Sequence, residues 1–210
     1  MCSMRLPDLV TDTELTTSIE KECTIHVLDE FEGRKRVQLK QKWRRSKYLG
    51  RGAYGSVWLE ECVDGEPHDA PLRAVKQIRK FGHGNKQIDY HRELEAIMKF
   101  SNRRVRLPLR SSIQRLFAFK HSLQLQYKNR FVRSSGWYQS PDHVYIAMEH
   151  CSLGDLSKHM EAPIQEHYAC DIIFQILEGL WFMHSNGFAH RDLKPNVRSQ
   201  ALPCPMLTHC

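Results

Sequence analysis

The chain has 210 residues, of which 41% are apolar, 10% aromatic and 26% charged; 31 Lys and Arg against 24 Asp and Glu give a formal net charge of +7. Those proportions exclude a wholly disordered or collagen-like chain and suit one or two folded domains. No apolar run is long enough to span a bilayer, since the best, Ile172 to Met183, is broken by Gln175, Glu178 and Gly179.

The N-terminus does not read as a secretory signal, because Arg5 is followed by Pro7, Asp8 and Asp12 and not by an apolar stretch. The seven cysteines are odd in number, scattered and without a CxxC, which suits reduced thiols in a cytoplasmic or nuclear protein. From Met1 to about Gly33 the chain is rich in Thr, Asp and Glu and precedes the basic Arg34-Lys35-Arg36. This stretch reads either as a tail or as an extra edge strand at Cys23 to Leu28.

Next comes Leu49-Gly50-Arg51-Gly52-Ala53-Tyr54-Gly55-Ser56-Val57-Trp58-Leu59. Gly50, Gly52 and Gly55 form GxGxxG, whose missing side chains let backbone N–H groups approach phosphate oxygens. The spacing alone also fits an ordinary glycine hairpin. A phosphate loop of the GxxxxGKS type needs Lys then Ser/Thr after its last glycine, and here Ser56-Val57 follows. A dinucleotide-binding turn opens a helix, whereas Ser56-Val57-Trp58-Leu59 reads as a strand. What remains is a strand–loop–strand flap.

Leu72 to Ile78 reads as an apolar-alternating strand carrying one lysine, Lys76. Ile88 to Phe100 reads as a helix with Tyr90, Leu94, Ile97 and Met98 near one face. A lysine buried between sheet and helix requires a carboxylate partner. Glu93 suits this better than Glu95, because it shares a face with Ile97 while Glu95 shares one with Lys99.

From Ala96 to Pro141 there is no acidic residue and there are ten basic ones, which leaves 21 basic against 24 acidic elsewhere. Such a segment is able to neutralise phosphate, but it reads more simply as an exposed insertion. Then Pro163 and Gly187 bracket a helix with Ile164, Tyr168, Ile172, Ile176, Leu180 and Met183 as its buried stripe. After it stands His190-Arg191-Asp192-Leu193-Lys194-Pro195-Asn196, too dense in titratable and donor groups to be core. The twelve histidines form no ligand set at metal spacing, and Cys204, His209 and Cys210 read as tail composition.

Taken in this order, GRGAYGSV at 50–57, AVK at 74–76, Glu93 and HRDLKPN at 190–196 resemble the eukaryotic protein kinase family. Ser135 to Tyr138 then looks like the fourth strand, Val144 to His150 like the fifth strand entering the hinge, and Gly154-Asp155-Leu156 like the start of the next helix. The implied fold class is α+β, a protein-kinase-like small lobe (antiparallel sheet plus one helix) with an incomplete helical large lobe. Its divisions would be 1–39 as an N-terminal extension, 40–148 as the small lobe with the insertion at 102–130, 149–197 as the start of the large lobe, and 198–210 as a non-matching tail.

The resemblance implies roles for individual residues. Gly50, Gly52 and Gly55 would cover the ATP phosphates, and Lys76, paired to Glu93, would hold the α- and β-phosphates. Leu49, Val57 and Ala74 would sandwich the adenine, with Met148 behind it. Backbone groups near Glu149 and Cys151 would read its edge, and Asp155 would reach the ribose. Asp192 would accept the proton of the attacking hydroxyl, Lys194 would neutralise the transferring phosphoryl group, and Asn196 would ligate Mg2+. Lys194, two residues after Asp192, resembles the serine/threonine type.

The implied partners are therefore ATP and a protein bearing a Ser or Thr hydroxyl, with no membrane and with nucleic acid disfavoured. The departures are as specific as the match. No DFG or APE follows Asn196, and no Asp or Glu follows Asp192. The reading is thus of a C-terminally truncated serine/threonine kinase, weak or inactive, with the insertion and tail expected to be products of a faulty gene model or retained introns. The alternatives are a non-catalytic, pseudokinase-like ATP-binding module and, behind it, a basic nucleic-acid-binding protein.

Overall fold

The computed structural model describes residues 8–32, 35–52, 55–65, 67, 70–82, 88–100, 130–160 and 162–194. The chain divides into two compact units, Met1–Lys99 with Ser134–His150, and Phe100–Arg133 with Cys151–Cys210. The first is built on a sheet and the second on a helix.

The sheet unit opens with one helical turn, α1 (Asp8–Thr11). There follow β1 (Thr16–Glu20), β2 (Cys23–Glu32), β3 (Lys35–Gly52), β4 (Gly55–Asp64), β5 (Leu72–Arg79), α2 (His91–Phe100), β6 (Ser134–Gln139) and β7 (His143–Glu149). The strands form one sheet in the order β1-β2-β3-β4-β5-β7-β6, and every neighbouring pair is antiparallel. Of the two readings left open at Cys23 to Leu28, the strand is the one that forms. It is not at the edge, however, because β2 pairs with β1 on one side and with β3 on the other, from Cys23↔Arg44 to Glu32↔Lys35.

β3 changes partners along its length. Its first half pairs with β2 and its second with β4, with register shifts between Lys42 and Trp43, Arg45 and Lys47, and Tyr48 and Gly50. Such irregularities bend a strand, and the bend folds β2 over the sheet, where Thr24 and His26 meet Arg73 of β5. The lead-in to β1 then reaches the opposite edge. The Leu15 N–H donates to the Trp137 carbonyl at 2.7 Å, the Trp137 N–H to the Thr13 carbonyl at 3.2 Å, and the Trp137 indole N–H to the Val10 carbonyl at 2.7 Å. The sheet thereby returns on itself around Leu15, Val75, Tyr138, Tyr145 and Ala147, with Leu28 packed against them.

Gly136 is what admits the lead-in. Its φ is +127°, and a Cβ there would lie 2.8 Å from both Leu15 Cγ and the Thr13 carbonyl oxygen, so a side chain would meet both strain and collision.

Two local expectations need correction. Residues 72–78 do not alternate: Arg73, Ala74, Val75 and Ile78 are all buried while Leu72 is exposed. The reason is that β5 is central in the sheet, with β2 over its Arg73 face and α2 beside its Lys76 face. The first helix begins at His91, not at Ile88, because the Ile88 N–H is taken by the Lys80 carbonyl at 2.9 Å and the helical ladder starts with Leu94 N–H to the Tyr90 carbonyl. Tyr90, Leu94 and Met98 are buried.

In the second unit a 3-10 turn at Leu156–His159 precedes α3 (Glu166–Ser185). The helix closes with Phe188 N–H to the Met183 carbonyl at 3.0 Å and Gly187 N–H to the His184 carbonyl at 2.9 Å, the paired bonds of a Schellman end. Phe100 stacks on Phe131 at 5.1 Å and meets Phe182 and Phe188 edge-on. Beside this cluster Arg130 donates to Glu178 at 2.9 Å and to Gln175 at 3.3 Å. The expected buried stripe is only partly realised. Ile164, Ile172, Ile176, Leu180 and Met183 are half-buried, and Tyr168 is exposed together with Ile173, Phe174, Leu177 and Trp181. The hydrophobic period was right, but among the described residues too little packs on α3 to bury it.

Candidate active site

Cross-strand register gathers most of the sheet-unit candidates on one face. Val57 lies opposite Lys76, and Lys76 opposite Ile146; Leu59 lies opposite Ala74, and Ala74 opposite Met148. Paired residues and their i±2 neighbours share a face, so Val57, Ala74, Lys76 and Met148 project to the same side. Leu59 and Ile146 project there too. The sequence reading did not single them out, although counting two residues from Val57 and from Met148 would have found both.

The other face of the same strands carries Trp58, Val75 and Ala147, and then Glu60, Arg73 and Glu149. It is the enclosed face, and it holds a buried ion pair: the Arg73 side chain is 5% exposed, that of Glu60 2%, and they meet at 2.7 Å.

On the open face the Lys76 ammonium donates to Glu93 Oε1, with the two side chains 13% and 24% exposed. α2 offers the carboxylate because Leu94 and Met98, both buried, anchor the helix; Glu93 stands in its first turn, where negative charge is favourable. The pair fixes the Lys76 side chain in direction and leaves it donors to spare.

The glycine hairpin is formed by β3 and β4, with Gly50 opposite Val57 and Gly52 opposite Gly55; Ala53 and Tyr54 at its tip lie outside the described residues. A Cβ on Gly55 would sit 1.8 Å from the Gln77 carbonyl oxygen. That glycine is therefore demanded by the approach of β5 as well as suited to phosphate. Leu49 is half-buried at the end of the β3 ladder. Glu149 ends β7 opposite Arg73.

The remaining candidates belong to the second unit. The Cys151 carbonyl accepts the Gly154 N–H at 3.2 Å, and the Asp155 carboxylate accepts the Ser157 hydroxyl just before the 3-10 turn. Asp192 and Lys194 form an exposed pair, with Lys194 Nζ 3.0 and 2.9 Å from the two carboxylate oxygens. Arg191 between His190 and Asp192 has φ +63°. A non-glycine residue in that region is uncommon and costs energy to hold, a feature of the septet that the sequence did not signal. Asn196, like most of the 102–130 insertion and all of the 198–210 tail, lies outside the described residues.

For Mg2+ the donor chemistry is incomplete. All 24 acidic residues precede Asn196, Asp192 is engaged by Lys194, and the described residues contain no cluster of three His, Cys, Asp or Glu side chains. Mg2+ is usually held by one or two carboxylates together with phosphate and water oxygens, so the described residues alone do not enclose one. Among the described residues, no helix is long and apolar enough to cross a membrane.

Comparison with known proteins identifies the family. The model of the protein kinase domain matches residues 43–197. Mitogen-activated protein kinase kinase kinase 1 of Arabidopsis thaliana is 28% identical over 153 residues, which are 72% of this chain and 21% of that protein. Calcium/calmodulin-dependent protein kinase type 1 of Caenorhabditis elegans is 27% identical over 159 residues, 75% of this chain and 37% of that one. Among solved structures, Rad53 1-466 in complex with AMP-PNP aligns with TM-score 0.47 and 27% identity, over 72% of this chain and 32% of the other. The chain thus spans well under half the length of these relatives. The family match spans residues 43–197, which include the glycine hairpin and the Asp192 loop, and on that ground the chain belongs to the protein kinase family.

Proposed function

We propose that the chain carries the nucleotide-binding apparatus of a serine/threonine protein kinase, whose reaction moves the γ-phosphoryl group of ATP to a protein Ser or Thr hydroxyl. The observation that carries this reading is the Lys76–Glu93 ion pair on the same sheet face as Val57, Ala74 and Met148. An apolar face beside a fixed cation suits a flat base joined to a polyphosphate. Val57 and Ala74, with Leu49, enclose the adenine against Met148, and backbone groups near Glu149 and Cys151 take its polar edge. Asp155 holds the ribose.

Gly50, Gly52 and Gly55 let the hairpin backbone close over the phosphates, and Lys76 neutralises the α- and β-oxygens. Asp192 receives the hydroxyl proton, and Lys194 offsets charge on the group in transfer. Phosphoryl transfer requires mainly positioning and charge neutralisation from the protein. Asn196 supplies one oxygen of the kind Mg2+ takes.

A thermal shift on adding ATP tests the reading. The native chain is expected to melt higher with ATP, and Lys76→Met is expected to lose that shift while melting normally without it. An equal shift in both proteins would move the nucleotide elsewhere. A second reading, a non-catalytic ATP-binding interaction module, is favoured by the exposed Phe174, Leu177 and Trp181 on α3. Radiolabelled ATP with a generic protein substrate separates the two, because transfer that disappears in Asp192→Asn would leave only the kinase reading.

A further inference from the structure

The enclosed face of the sheet contains polar groups that the nucleotide reading does not use. The Arg73 guanidinium donates to Glu60 through Nε at 3.0 Å and a terminal nitrogen at 2.7 Å, and it lies 4.1 Å over the Trp43 ring. The same terminal nitrogen reaches Thr24 Oγ1 at 3.1 Å and His26 Nε2 at 2.8 Å.

Chemistry fixes the direction of the rest. Arginine only donates, so His26 Nε2 accepts, the ring is neutral and its proton sits on Nδ1. Nδ1–H then donates to Thr17 Oγ1 at 2.7 Å, and the Thr17 hydroxyl donates to the Leu15 carbonyl at 2.9 Å. The Leu15 N–H donates to the Trp137 carbonyl at the seam with β6. The terminal nitrogen has two hydrogens for Glu60, Thr24 and His26, so these three acceptors share them. Burial, and after it the Arg73 charge, push the His26 imidazole down to about 3, which keeps the neutral ring that the geometry requires.

Arg73 stands at a sensitive place. It precedes Ala74, lies two strand steps below Lys76's neighbour Val75, and is paired in register with Glu149 at the end of β7.

We propose that residues 13–26 form a strap that positions β5, with the Thr17–His26–Arg73 chain of hydrogen bonds as its link and Arg73 as the positioning residue for the strand that carries Lys76. The consequence for nucleotide binding rests on the reading of the open face given above; the hold on β5 does not. Sequence position makes the link non-local, joining the first 26 residues to the strand nearly fifty residues on.

Two substitutions of similar volume separate a hydrogen-bonded link from packing alone. His26→Gln keeps an acceptor for Arg73, whereas His26→Leu fills the space without one. Amide hydrogen exchange in the full chain reads local opening of β5. The expected result is exchange at Ala74, Val75 and Lys76 roughly tenfold faster in His26→Leu, near native in His26→Gln, and faster again in Thr17→Val, which breaks the chain at a half-buried site. Gln and Leu behaving alike would overturn the link.

Affinity for a fluorescent ATP analogue is expected to follow the same order, weakening at least several-fold in His26→Leu. Faster exchange with unchanged affinity would overturn the role toward the nucleotide. A native chain that binds no analogue would remove the nucleotide reading while the exchange result still decides the strap.

Discussion

The two helices of the molecule that carry most of its apolar pattern have opposite fates. In α2, Leu94 is fully buried and Met98 nearly so; in α3, Phe174 is 63% exposed and Leu177 57%. Both helices have hydrophobic side chains at helical spacing, so sequence period does not distinguish them. What distinguishes them is the partner. α2 lies on a sheet, and its Glu93 is held by Lys76, while α3 has the Phe100–Phe131 stack and Arg130 along one side and leaves Phe174 and Leu177 exposed. Amphipathic pattern states what a helix can bury; packing decides what it does bury.

The contrast is sharpened most by striking the interior of the sheet unit. Glu60→Ala would strand the Arg73 charge at a position 4% exposed. Loss of about 3–5 kcal/mol in urea unfolding is expected, and a change under about 1 kcal/mol would show that Arg73 finds solvent or another partner. Leu94→Ala, in the buried helix, is expected to cost about 2–5 kcal/mol.

Acid comes next. The neutral His26 ring meets Arg73, Thr17 and Tyr138, and Arg73 in turn holds Glu60 and Thr24. Its folded pKa of about 3 lies below the ordinary 6.5, so protonation favours the unfolded chain. The stabilisation due to this group is complete above about pH 6.5 and is lost progressively as the pH falls toward 3. Unfolding midpoints measured across that window are expected to fall, and His26→Gln is expected to flatten the fall. The smallest effect is reserved for the uncovered helix: Phe174→Ala should leave stability within about 0.5 kcal/mol and improve solubility in a simple precipitation assay. A loss like that of Leu94→Ala would mean that α3 is covered after all.

Much of the molecule was readable beforehand, for reasons that are physical. A glycine hairpin, a strand with one lysine and a septet of donors, taken in this order, carry the resemblance to the family, and that resemblance implies the α+β architecture. Glu93 was preferred to Glu95 by the face it shares with Ile97, and it is Glu93 that meets Lys76. The strap was not readable. Its apolar alternation, Cys23, Ile25 and Val27, marks the half-buried face while Thr24 and His26 are the buried ones, and its partner Arg73 sits in a strand where a buried cation is the last residue type one would place. Tyr168 fits the helical period yet is exposed, because period tells which side chains share a face and not what covers that face.

The seam at Trp137 has a consequence for the behaviour of the protein in a crowded solution. A strand at the border of a sheet offers a ready row of amides and carbonyls to any stranger's backbone, and β6 would be such a border. Thr13 to Leu15 occupy that row from within the same molecule. A chain clipped after Glu20 would present it to its neighbours, and would be expected to trade a private contact for self-association.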